Sequence, residues 1–581
     1  MTPATASAGP RFELRRDPRS GERYLAVFAR GDAIKDDPVL NKGTCFTQEE
    51  RAALGLIGLL PPSVQTPAEQ AARAYGNYLE ADDDVRRYVF LASLQDRNET
   101  LFYRLVLDHL EQMVPVIYTP TVGKACQHYS HMYRRARGVY ISPNERGRMV
   151  EALANATAGV APRVIVITDN EAILGIGDQG VGGMPIAIGK LALYTVGAGV
   201  PPTRCLPIDF DIGTENEALL ADPLYLGIRQ RRLRGEPYFA LLDELVEAIA
   251  HVHPRTLVQW EDFASANAFS VLARYRQRVP SFNDDIQGTG AMVVAGIQSA
   301  FRQTGGRFAD ARVVFYGAGA SGAGSALAMR AALRAAGVPD PELGSRVVCL
   351  DSKGVILSDR PGLSGAKRDV SADSALVTAW TPGPGGRFGL GEVVRGFKPT
   401  VLVGASGQPG AFTEPIVRNM LAGCSRPIVL ALSNPDTKTE ALPADLIRWT
   451  NGAAVVGTGS PFAPVAHAGR TYTIGQANNA FIFPGVGLGA TAVEARWLPD
   501  ETFVAAAAAL VEYTGTSPRQ GDPIYPPLSH LREVSRHVAV GVGAALVDAG
   551  AAPRLSRAEI EARVAAAMWE PEYLPYRAAT P

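Results

Sequence analysis

From Ala68 to Gln112 apolar residues recur at helical spacing with few breakers, which predicts a helical N-terminal region. Ahead of it, Gln48 to Gly58 predicts a short helix closed by Leu59-Leu60-Pro61-Pro62. The pattern then changes to short apolar runs bounded by turn residues. Arg163–Thr168 ends in Asp169-Asn170, Leu257–Trp260 leads straight into Glu261-Asp262, and Arg312–Tyr316 runs into a Gly-rich turn. Further strands are predicted at Arg346–Leu350, Thr400–Val403 and Pro427–Leu432. Strands alternating with helical segments predict parallel sheets joined by crossover helices, so the fold class is α/β. The alanine run Ala505–Ala509 predicts helix, and Ala551–Pro581 predicts a helix followed by an aromatic, Pro-containing tail.

Composition narrows the class. At 581 residues the chain exceeds the size at which one core keeps growing, so several domains are expected. With 20% charged and 46% hydrophobic residues it has the balance of a globular protein. Its 57 basic and 58 acidic side chains leave a net charge of -1, a balance that favours neither nucleic acid nor a membrane surface as partner and points to a small molecule. The five cysteines are far apart with no CxxC pair, which fits a reducing cytoplasmic setting rather than a disulfide framework or a zinc site. The opening residues lack the apolar core of a signal peptide, and no uninterrupted apolar run is long enough to span a bilayer.

Gly317-Ala-Gly319-Ala-Ser321-Gly322 matches GxGxxG between an apolar strand and a helix-compatible segment. Such glycines allow a tight turn and close approach of backbone N–H groups to a pyrophosphate at a helix N-terminus. Asp351 ends the next strand and is placed to accept hydrogen bonds from a ribose, or else to cap a turn. Its distance from the glycines exceeds the usual interval of about 20 residues, which predicts an enlarged crossover.

Two acidic pairs follow apolar runs, Glu261-Asp262 and Asp284-Asp285. Adjacent acids at the end of a buried strand call for a cation or for hydrogen-bond donors, and carboxylates without nearby Cys or His suit Mg²⁺ or Mn²⁺ rather than zinc. Solvated strand-end acids are the competing reading. Lys190 lies in an apolar, Gly-rich tract, where it either snorkels to water or serves as a general base with a lowered pKa. Tyr118 reads as a packing aromatic, and His251-x-His253 as a strand or loop surface. No Ser-His-Asp spacing supports hydrolase chemistry.

Taken together, Leu40–Thr47, Leu94–Thr100, Val116–Gly123, Trp260–Phe263, Phe282–Thr289, Ala431–Pro435 and Gln476–Gly485 resemble successive signatures of the malic enzyme family, over nearly the whole chain from Leu40 to Tyr573. The resemblance implies a helical N-terminal region, an α/β substrate domain and a Rossmann-type doubly wound dinucleotide-binding domain, divided as 1–280, 281–540 and a C-terminal helical extension 541–581. It implies oxidative decarboxylation of L-malate to pyruvate and CO2. Glu261, Asp262 and Asp285 would hold the Mg²⁺ or Mn²⁺, and Lys190, partnered by Asp284, would take the hydroxyl proton. Tyr118 would protonate C3. Asn434, Asn478 and Asn479 would contact substrate or the nicotinamide ribose, and a homodimer or homotetramer is implied as well.

One departure stands out. Where many members carry arginine in Glu-Arg-Ile-Leu-Gly, this chain reads Glu171-Ala172-Ile173-Leu174-Gly175, which removes a fork for a malate carboxylate. Malolactic enzymes also lack it, so conversion of malate to lactate is the alternative activity, and a non-catalytic nucleotide-binding paralogue is the alternative from another class. The acid Asp351 favours NAD over NADP, whereas Lys353, Lys367 and Arg368 are placed to neutralise a 2′-phosphate.

Overall fold

In the computed structural model, Gln48–Ala53 forms a short helix (α1) whose N-cap Thr47 and Glu50 make a reciprocal capping box. The predicted helical region resolves into α2 (Pro67–Leu79), α3 (Asp84–Gln95), α4 (Glu99–Asp108) and α5 (Leu110–Ile117). Thr66 caps α2 with Pro67 at its first position, Asp83 caps α3 and Asn98 caps α4. Residues 11–157, 160–363, 365–515 and 519–580 are described, so Met1–Pro10, where the reading of a missing signal peptide begins, lies outside them.

The chain separates into two compact units, the first made of Met1–Ile167, Gln179–Thr256 and Met568–Pro581. A hairpin of β1 (Phe12–Arg16) and β2 (Arg23–Val27) is joined by the terminal strand Tyr576–Ala578, which pairs in parallel with β2. Tyr576 thereby enters a small core with Val27, Phe46 and Leu56. Following α5 come α6 (Thr121–Gln127) and α7 (Met184–Ala198). Strands β3 (Val139–Ile141), β4 (Val164–Thr168) and β5 (Cys205–Phe210) lie in the order β3-β5-β4.

Helix α7 is apolar on every side and buried along nearly its whole length, the signature of a core helix. With its preceding turn, at Gly180–Ala198, it is the one helix among the described residues long and apolar enough to cross a membrane, and 94% of that stretch is buried inside the protein. It stops at Gly199, which takes a left-handed φ of 63° and where a Cβ would lie 2.9 Å from Met568 Cα, so only glycine fits. Helix α8 (Glu236–Val252) ends at His253, and this corrects the reading of His251 and His253 as a strand or loop surface. His251 sits in the last turn of the helix, and His253, its C-cap, is buried.

The second unit holds Thr168–Asp178 and Leu257–Ala567. Strand β6 (Leu257–Glu261) pairs in parallel with β7 (Ser281–Asn283), and α9 (Thr289–Thr304) follows. Its main sheet comprises β8 (Val313–Tyr316), β9 (Val347–Asp351), β10 (Gly354–Val355), β11 (Val401–Gly404), β12 (Ile428–Ala431) and β13 (Val455–Thr458). After a separate hairpin of β14 (Val465–His467) and β15 (Arg470–Tyr472), the short β16 (Gly475–Gln476) completes it. The order is β10-β9-β8-β11-β12-β13-β16, parallel throughout except for the edge strand β10. This is a Rossmann-type doubly wound sheet. Its chain direction reverses between β8 and β11, where such sheets bind ligands beyond their carboxyl ends. The crossover from β8 to β9 contains two helices, α10 (Ala320–Ala335) and α11 (Asp340–Arg346), which accounts for the long interval to Asp351.

Candidate active site

In the first unit, Tyr118 caps α5 in an extended conformation, and its N–H donates to the Val114 carbonyl. Lys190 occupies the middle of α7 with 1% of its surface exposed, so it is a core residue and not a snorkelling one. Its Nζ lies 5.3 Å from the centroid of the Tyr118 ring. Gly189 makes this approach feasible. A Cβ there would meet the Ile117 carbonyl oxygen at 2.9 Å and Tyr118 Cδ2 at 3.3 Å, so a side chain would hold the two helices apart.

In the second unit, β6 delivers Glu261 and Asp262, and the turn after β7 delivers Asp284 and Asp285. Carboxylate oxygens of Glu261, Asp262 and Asp285 all lie within 4.8 Å of one another. Glu261 and Asp262 are buried and Asp285 is half-buried. Asp262 adopts φ 56°, a conformation that side chains other than glycine rarely take, and its backbone N–H donates to Asp285 Oδ2 at 2.8 Å. Gln259 Nε2 donates to Glu261 Oε2 at 2.8 Å. Three anionic oxygens so close in a buried place repel one another unless a cation compensates them, and an all-carboxylate set suits a hard divalent ion. The residues present therefore fit Mg²⁺ or Mn²⁺.

Asp284 is fully buried, and its Oδ2 accepts from Asn479 Nδ2 at 3.1 Å. Residues Asp284–Gly288 form one wide π-helical turn, a form often found at functional sites, capped by Asn283 Oδ1 accepting from the Ile286 N–H at 2.9 Å. Gly288 leaves room for Asp284, whose Oδ1 would be 1.8 Å from a Cβ at that position.

At the carboxyl end of β8, a Cβ on Gly317 would meet the Ala405 carbonyl oxygen at 2.2 Å, and one on Gly322 would meet the Gly317 carbonyl oxygen at 2.0 Å. These two glycines are required by the protein's own packing. Gly319 differs. It is exposed, and the nearest atom to a Cβ there would be Ser265 Oγ at 3.7 Å, so the open space in front of it is available to a ligand. Ser321 stands in the first turn of α10.

Asp351 ends β9 with its carboxylate already engaged. Arg360 donates to both oxygens at 2.9 and 2.6 Å, Lys367 Nζ donates at 2.8 Å and the Lys353 N–H at 2.9 Å. Burial works against its charge, but the hydrogen bonds from Arg360 and Lys367 outweigh it and hold the carboxyl well below the usual carboxylate range.

Asn434 follows β12, and its Oδ1 accepts from Ser460 Oγ at 2.7 Å. Asn478 Oδ1 caps the turn that follows by accepting from the Ala480 N–H. Asn479 bridges Asp284 Oδ2 and Thr289 Oγ1.

Residues 95–276 match the family model described as "Malic enzyme, N-terminal domain", and residues 286–547 match "Malic enzyme, NAD binding domain". The chain is 44% identical over 556 residues to the NAD-dependent malic enzyme of Aeromonas hydrophila, covering 96% of this chain and 98% of that one. The chain belongs to the malic enzyme family. The NAD-dependent malic enzyme of Acinetobacter baylyi is 43% identical, with 94% of this chain and 96% of that one covered. Among solved structures, the Entamoeba histolytica malic enzyme superposes with a TM-score of 0.55 at 21% identity over 88% of this chain and 90% of that one. The Pyrococcus horikoshii enzyme gives 0.52 at 24%, over 78% and 88%. At these identities the two structures speak for the fold alone.

As a malic enzyme, the chain has supporting residues that its sequence did not single out. Glu440 is fully buried, and its Oε1 accepts from the Ser406 N–H, Ser406 Oγ and Ser433 Oγ. It thereby ties the segment after β11 to the segment after β12, beside Asn434. A lone glutamate in Asp-Thr-Lys-Thr-Glu-Ala carries no local signal of this role. Ala172, at the departure from the usual family pattern, donates its N–H to the Asp262 backbone carbonyl at 2.9 Å, so this position is tied to the backbone of a cluster residue.

Proposed function

We propose that this member of the malic enzyme family oxidises L-malate with NAD and releases pyruvate and CO2. The observation that carries the reading is the cluster of Glu261, Asp262 and Asp285, three carboxylates within 4.8 Å with no softer ligand among them. In this reading Lys190 Nζ takes the proton from the C2 hydroxyl, and Tyr118 hands its hydroxyl proton to C3 once CO2 has left. When bound, NAD would supply the acceptor for the C2 hydride and the divalent ion the Lewis acidity that decarboxylation requires. Glu261, Asp262 and Asp285 would hold that ion, with Gln259 orienting Glu261. Asn479 orients Asp284, the proposed partner of the base. Gly317, Gly319, Ser321 and Gly322 would seat the pyrophosphate, Asp351 the adenosine ribose, and Asn434 and Asn478 the substrate or nicotinamide end.

The division 1–280, 281–540 and 541–581, a cytoplasmic setting and a homodimer or homotetramer belong to the same proposal. They are supported by the charge balance, the scattered free cysteines and the family resemblance.

The deciding experiment is a product-resolved assay with malate, Mn²⁺ and either NAD or NADP. NADH and pyruvate should form in equal amounts, with NAD the better cofactor and no lactate. Lactate without NADH would establish the malolactic alternative that Ala172 keeps open, and no product with a folded protein would establish the non-catalytic one.

A further inference from the structure

Between β12 and β13, Glu440 carries a fully buried carboxyl group that meets no cation among the described residues and that no step of the proposed reaction uses. Its Oε1 accepts from the Ser406 N–H at 2.9 Å, Ser406 Oγ at 2.8 Å and Ser433 Oγ at 2.6 Å, and its Oε2 from the Ser433 N–H at 3.3 Å. Each hydroxyl is fixed from its other side, Ser406 Oγ accepting from the Gln408 N–H and Ser433 Oγ from the Gly407 N–H. Four donors therefore converge on one acceptor-only group, and its removal would strand them in a buried place. The end of β11 is shaped to admit it, since a Cβ on Gly404 would lie 2.4 Å from Glu440 Cδ.

The segments it joins lie at the point where the sheet reverses direction. The segment after β11 borders the glycine loop, where the Ala405 carbonyl packs on Gly317, and Tyr316 donates its hydroxyl to Gln408 Oε1 at 3.1 Å. Burial, and next the charge of Glu440, raise the Tyr316 phenol pKa, so this hydroxyl stays a donor. The segment after β12 carries Asn434 next to Ser433. Beyond it the chain closes on Gly175, where a Cβ would lie 2.9 Å from the Asn434 carbonyl oxygen. We propose that Glu440 is a positioning residue for the cofactor, joining these two segments so that Asn434 meets the nicotinamide half of NAD. The adenosine half does not depend on it, because the glycine loop holds its own shape through Gly317 against Ala405 and Gly322 against the Gly317 carbonyl. The inference rests on the reading of Gly317–Gly322 as the dinucleotide loop and of Asn434 as its nicotinamide end.

The test is calorimetric titration of the full chain with NAD and, separately, with ADP-ribose, which lacks the nicotinamide. Glu440→Met keeps the length of the side chain and removes both acceptors. Its NAD affinity should fall by roughly tenfold, the worth of one well-made hydrogen bond, while its ADP-ribose affinity stays within about twofold of the wild type. Glu440→Gln keeps an acceptor at Oε1, where three of the four donors meet, and should recover most of the NAD affinity. Ser433→Ala removes the 2.6 Å link to the Asn434 segment and should show the same NAD-selective loss, so it decides the matter if Glu440→Met does not fold. Thermal midpoints report folding. The proposal is overturned if folded Glu440→Met or Ser433→Ala binds NAD as the wild type does, or weakens NAD and ADP-ribose alike. It is overturned as well if Glu440→Gln is as impaired as Glu440→Met. A wild type that binds neither ligand would instead refute the dinucleotide reading on which the proposal rests, an outcome distinct from all of these.

Discussion

A lysine with 1% of its surface exposed, its Nζ 5.3 Å from a tyrosine ring, places the two groups proposed for proton transfer in one local setting, with two separable tasks proposed for them. Lys190→Ala should lower malate oxidation by about 10²–10⁴, the usual worth of a general base, and an added small amine should restore part of it. Tyr118→Phe keeps the ring but loses the hydroxyl, so malate turnover should fall while reduction of oxaloacetate, which needs no proton at C3, persists. Normal turnover in Tyr118→Phe, or equal loss of both reactions, contradicts the division. At this scale the sequence was informative wherever chemistry is local. Paired acids after apolar strands and glycines at fixed spacing were legible because their cost or their backbone freedom is a property of the segment itself. Partners brought from afar were not. Arg360 on Asp351, Asn479 on Asp284 and Glu440 on Ser406 and Ser433 depend on loops whose paths no local pattern records.

Among the elements, the strands that were legible are the ones that carry the binding loops. β4, β6, β8, β9, β11 and β12 each appear as an apolar run stopped by a turn or an acid, within a residue or two of the observed bounds. β5 was not singled out, since Pro207 and Asp209 break its apolar run. The all-round apolar α7 hides its own geometry in the same way. Lacking a polar stripe, its sequence does not show which face meets α5, and the contact at Gly189 emerges only from packing. Gly189→Ala should therefore force α5 and α7 apart by a few tenths of an ångström at an overpacking cost of about 1–3 kcal/mol. The thermal midpoint and kcat should both fall, while NAD affinity stays at the wild-type value because the dinucleotide loop lies in the other unit. A variant with unchanged kcat would show that the close approach does not set the Tyr118–Lys190 pair.

For the molecule as a whole, class and family were legible because the signatures are many, ordered and spread over both units. The return of the tail was not, since the parallel pairing of Tyr576–Ala578 with β2 joins residues more than five hundred positions apart. The account as a whole depends on the carboxylate cluster, whose acids come from β6 and from the turn after β7. The most direct measurement is Mn²⁺ titration of wild type and Asp285→Ala by calorimetry, with malate-dependent NADH formation followed in parallel. Wild type should bind one Mn²⁺ per chain and need it for turnover. Asp285→Ala, stripped of one ligand and of the acceptor for the Asp262 N–H, should lose both while still binding NAD. Wild-type Mn²⁺ affinity and metal-dependent turnover in Asp285→Ala would contradict the account.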